Sequence, residues 1–79
     1  MIKYAITIET HRKGDLWKET ILNLHESEVE AEVAFNELDD DLRKKAHLVR
    51  LTGDGWEVGE TVRDAMQNPK PGTYIEYLI

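Results

Sequence analysis

The sequence predicts an α+β domain in which a small antiparallel sheet carries one helix on one face. Three observations predict it: strict apolar–polar alternation at the start, helically spaced apolar residues behind a capping pattern, and turn-forming clusters between further short β-like runs. The expected order is β-β-α-β-β, a stretch open to a short helix, and a last strand. The connections are short enough for antiparallel neighbours.

Residues 2–10 place Ile2, Tyr4, Ile6 and Ile8 at even positions, with Lys3, Thr7 and Glu9 between them. This is the period of a strand with one buried face. The polar run 11–15 holds Gly14-Asp15, and residues 16–24 resume with Trp17, Ile21, Leu22 and Leu24 in a blurred alternation, so a β-hairpin is expected. Ser27 followed by Glu30 is a capping-box pattern. A helix is expected from there to about Ala46, because 100° steps gather Ala31, Phe35, Leu38 and Leu42 in one arc, flanked by Ala34 and Ala46. Glu28, Glu30 and Glu32 near its start and Arg43, Lys44 and Lys45 at its end complement the helix dipole. Residues 26–33 also alternate as an exposed strand would, but Glu and Ala are poor strand formers, which favours helix. The helix turns Val29 and Val33 away from the core, between acidic residues.

Residues 47–52 carry Leu48, Val49 and Leu51, Gly53-Asp54-Gly55 supplies positive-φ positions, and residues 56–62 resume with Trp56, Val58 and Val62 on one face. A second hairpin is expected there. Residues 61–67 are open to a short helical turn instead. Asn68-Pro69-Lys70-Pro71-Gly72 breaks regular structure, and residues 73–79 read as the last strand.

Residues 1–79 form one domain. A hydrophobic content of 41% suffices for a core and argues against disorder. No cysteine is present, so disulfides and thiolate metal sites are excluded and a cytoplasmic setting is expected. No basic segment precedes a continuous apolar run, and nothing approaches the ~20 apolar residues of a membrane span. A net charge of −6 argues against nucleic acid, whose affinity rests on Lys and Arg displacing counterions. The tyrosines and tryptophans, Tyr4, Trp17, Trp56, Tyr74 and Tyr77, suit the edges of a small core.

The chemistry-bearing residues are few. Ser27, the one serine, is better used as a helix cap than as a nucleophile. His11, His25 and His47 lack the spacing that would set two metal ligands on one helical face. Asp39-Asp40-Asp41 lacks the alternation, glycine and distant glutamate of a calcium loop. Gly53 and Gly55 lead into no phosphate-cradling helix. Glu57 and Glu76 read as exposed strand positions. No catalytic residue, metal or cofactor is expected, and the chain reads as non-enzymatic.

The distinctive feature is charge. Residues 26–41 contain eight acidic residues and no Lys or Arg. On a continuous helix Glu28, Glu32 and Asp39 share one side and Glu30, Glu37 and Asp41 another, with Val29, Val33 and Asp40 between. The expected partner-binding residues are therefore Glu28, Val29, Glu30, Glu32, Val33, Glu37, Asp39 and Asp40, facing a protein with a basic surface. Two other surfaces are weighed: nucleic-acid contact through Lys3, Arg12, Lys13, Lys18 and Trp17 of the first hairpin, and homo-oligomerisation through the strand at 73–79. In size, acidity and absence of catalytic residues the chain resembles the small accessory proteins with which bacteriophages bind or block host machinery, anti-CRISPR proteins among them. That resemblance is one of character, carried by no motif and pointing to no single family, and it implies binding or inhibition of a basic, nucleic-acid-handling partner.

Overall fold

The computed structural model describes residues 1–13, 16–63 and 72–79, with the backbone alone at 11–13, 16–17 and 63. Five strands and two helices follow in the order β1 (Ile2–Lys13), β2 (Leu16–His25), α1 (Glu28–Asn36), α2 (Asp40–Arg43), β3 (Ala46–Thr52), β4 (Thr61–Arg63) and β5 (Tyr74–Tyr77). They make one antiparallel sheet in the order β4-β2-β1-β3-β5, with α1 packed against it, so the α+β architecture holds.

The first hairpin forms as the alternation predicts, with Tyr4 opposite His25 and Thr10 opposite Lys18. Its register slips at Leu22, which stands between the Ile6–Asn23 and Thr7–Ile21 pairs. A bulge adds one residue to one strand and resets its facing. It brings Ile21 and Leu24 to the same face despite their odd spacing, and this is the source of the blurred alternation.

The helix differs from expectation. Ser27 caps α1 through its Oγ, which accepts from Glu30 N at 3.2 Å, but α1 ends at Asn36 and does not reach Ala46. Asp39 adopts extended backbone and its carboxyl accepts from Leu42 N at 2.8 Å, starting a separate turn, α2. A side chain that caps a fresh turn competes with continuation of the old one. Leu38 and Leu42 still reach the core with Ala31, Ala34 and Phe35, while Ala46 enters it as the first residue of β3.

The second hairpin does not form. β3 already has β1 on one side and β5 on the other, so no edge remains for residues 56–62. Gly53 and Gly55, at φ of 112° and 82°, turn the chain away, and β4 pairs with β2 at the opposite edge. Trp56 is buried outside any strand, its Nε1 donating to Thr52 O at 3.4 Å, whereas Val58 is exposed and not in line with Trp56 and Val62. Glu57 lies in this connection and not in a strand. The helical alternative at 61–67 gives way to strand over Thr61–Arg63; its remainder, and Asn68 to Pro71, lie outside the described residues.

Both faces of the sheet are buried, where the alternation of β1 implies one. Toward α1, Ile6, Ile8, Ala46 and Leu48 pack with Ala31 and Phe35. On the other face Ala5, Ile21, Val49, Leu51, Trp56 and Val62 form a second core. That face is concave. The Tyr77 hydroxyl on β5 donates to Glu19 on β2 at 2.6 Å, although three strand spacings in a flat sheet would separate these strands by about 14 Å.

Candidate functional site

The outer face of α1 is built by the same periodicity that builds its inner face. Burial of Ala31 and Phe35 against the sheet fixes the rotation of the helix. Val29 and Val33, one turn apart, must then point outward, and they are 71% and 52% exposed. Helical geometry puts Glu28 and Glu32 along one side of this apolar step and Glu30 and Glu37 along the other, all four exposed. No basic residue lies on α1, and Glu28 and Glu30 sit in its first turn, where the helix dipole favours them.

Six of the eight expected partner-binding residues are thus brought together: Glu28, Val29, Glu30, Glu32, Val33 and Glu37. Asp39 and Asp40 do not extend the carboxylate rows, because the helix breaks before them. Asp39 caps α2 and Asp40 pairs with Arg43 at 2.6 Å. Of the basic residues of the first hairpin, Lys3 is engaged by Glu26, and Lys18 is half-buried with its carbonyl accepting from Thr10 Oγ1 at 3.5 Å. The side chains of His11, Arg12, Lys13 and Trp17 lie outside the described residues.

A second cluster was not anticipated. Glu19, 0% exposed on the concave face, accepts from the Thr7 hydroxyl at Oε1 and from the Tyr77 hydroxyl at Oε2. Glu9 faces Glu19 across the β1–β2 ladder and meets His47 Nε2 at 3.2 Å, and the His47 ring stands edge-on to Tyr77 with centroids 5.3 Å apart. Each Glu19 oxygen accepts from a donor of the fold itself, so the group joins β1, β2 and β5. A sequence signal existed: Glu19 stands two residues from both Trp17 and Ile21, in phase with an apolar row. His25 is separately engaged, its Nε2 lying 2.9 Å from Asn23 Oδ1.

Among the described residues no three His, Asp or Glu side chains gather as metal ligands would, and no helix is long and apolar enough to cross a membrane. No protein-family model matches the chain, and neither does any curated protein or solved structure.

Proposed function

We propose that the protein is a non-enzymatic interaction module that engages a basic protein surface through the outer face of α1. The observation that supports this reading is the exposure of Val29 and Val33 between two rows of carboxylates. An isolated solubilising face has no need of valines, which are poor helix formers and gain nothing in water. Together with the acidic rows they make a surface with an apolar centre and a charged rim, the arrangement of many binding patches. A partner that presents apolar residues ringed by Lys or Arg fits it, and a nucleic-acid-handling protein, whose own ligand is a polyanion, is the natural class. Inhibition then follows from occupancy of that basic site, in the manner of small phage-type accessory proteins.

The test compares tagged wild-type protein with two variants in bacterial lysate. Glu32→Lys/Glu37→Lys reverses charge away from the first helical turn, so the dipole does not penalise it. Val29→Ser/Val33→Ser removes the apolar step. A bound protein that is retained by the wild type and lost by both folded variants supports the reading. Retention by both variants removes it.

A further inference from the structure

We propose that the seat of β5 also accepts the β5 of a second copy of this chain, so that two molecules exchange strands and each completes the other's Glu19 cluster. The seat reads its strand residue by residue. Ile75 packs on the Leu51–Trp56 side, and Glu76 takes the Arg50 guanidinium through Nε at 3.1 Å and again through Nη2. Tyr77 gives its hydroxyl to Glu19, and Leu78 joins the opposite core while its N–H donates to Leu48 O at 2.8 Å. An apolar residue, an acid, a hydroxyl and a second apolar residue are required in that order.

An empty seat is unfavourable for a specific reason. Without β5 the Oε2 of Glu19 loses the Tyr77 hydroxyl, and the two cores lose the packing of Ile75 on one face and of Leu78 on the other. The β3 ladder from Val49 to Thr52 becomes an open edge at the same time. The seat must therefore be refilled once vacated, and a second copy supplies the same sequence in the same register. Every contact made within one molecule is made again between two, so the balance is set by concentration and association entropy and not by new chemistry. Simple pairing along the outer edge of β5 is less favourable, since four residues supply few ladder bonds.

The chain has no cysteine, which allows a direct test. Arg50 and Glu76 are cross-strand partners. Protein carrying Arg50→Cys alone is mixed at high concentration with protein carrying Glu76→Cys alone, then oxidised. Exchange brings Cys on one molecule opposite Cys on the other and leaves one native Arg50–Glu76 pair intact, so a covalent heterodimer is expected. The double variant should close its own disulfide in dilute solution, which confirms the geometry. Absence of heterodimer under conditions where the double variant closes overturns the proposal, and so does a product made only of Glu76→Cys homodimers, which means outer-edge pairing. Should the double variant fail to close, sedimentation of concentrated wild-type protein decides: a dimer that persists for a time after dilution supports exchange, and a monomer at every concentration rules it out.

Discussion

Glu19 shows how much a single residue can carry in a domain of 79 residues. Its carboxyl joins β1 through Thr7 and β5 through Tyr77 at a point with no access to water. Glu19→Ala leaves the buried Thr7 hydroxyl and the partly exposed Tyr77 hydroxyl without their acceptor; a loss of about 1.5–4.5 kcal/mol is expected, ~1–3 from the first and ~0.5–1.5 from the second. Tyr77→Phe removes one donor and should lower stability by about 1–3 kcal/mol. Glu19→Gln should cost less stability than Glu19→Ala, because the amide retains an acceptor and its N–H₂ can donate to a hydroxyl that turns its lone pair. Urea denaturation of the three variants gives the order directly; a Glu19→Gln midpoint at or below that of Glu19→Ala would remove the hydrogen-bond explanation. The Arg50–Glu76 ion pair, on the opposite face of the sheet, behaves differently. The hydrogen bond and charge of Glu76 hold the Arg50 guanidinium above its already high range. A cation whose value is raised on folding stabilises at every pH below its unfolded value and loses that effect only in strong alkali. The Arg50 contribution is therefore flat from neutral to moderately alkaline pH. The position of Glu19 was half legible in the sequence: its phase with Ile21 was visible, but its burial beside Ile21 depends on curling of the sheet, which no local pattern encodes.

At the scale of elements, the legible parts are those specified by near neighbours. The Ser27–Glu30 cap, the alternation of β1 and the stripe of Ala31, Phe35, Leu38 and Leu42 are satisfied within a few residues or across one turn. The helix break was missed because Asp39 can serve a helix as a surface residue or start a new turn as a cap, and a residue count of periodicity does not separate the two. The second hairpin was misread for another reason. Gly53-Asp54-Gly55 is a turn in either topology, and only competition for the edge of β3, won by β1 and β5, sends the chain across to β2. Ser27→Ala should lower stability by about 1 kcal/mol through loss of the cap. Phe35→Ala should lower it by about 3–5 kcal/mol, since the ring is the largest side chain that α1 buries. Val29→Ser and Val33→Ser should each change it by less than about 0.5 kcal/mol, as expected for exposed positions away from special features. Thermal melts of the four variants check the set. A Val29→Ser melt as low as that of Phe35→Ala would mean that the outer face of α1 is covered by the fold itself.

For the whole molecule, the arrangement of two cores on one sheet decides how it unfolds. β1 is the central strand, and its successive residues Ala5 and Ile6 belong to opposite cores, as do Leu48 and Val49 of β3. Neither core can be dismantled while the other keeps its wall, because the same two strands line both. A domain this small has only a few kcal/mol of net stability to divide, which leaves no room for a half-folded state with one exposed apolar wall. Unfolding is thus expected to be a single transition. In a Trp17→Phe background the fluorescence of Trp56 reports the concave core, and far-ultraviolet dichroism reports the sheet and helix together. The two curves should coincide in urea, and Phe35→Ala, on the far side of the sheet from Trp56, should move both midpoints by the same amount. If the dichroism curve moved and the Trp56 curve did not, the concave core would be stable without α1. The three strands β2, β1 and β3 would then have to be treated as a unit on which α1, and with it the acidic face, docks reversibly.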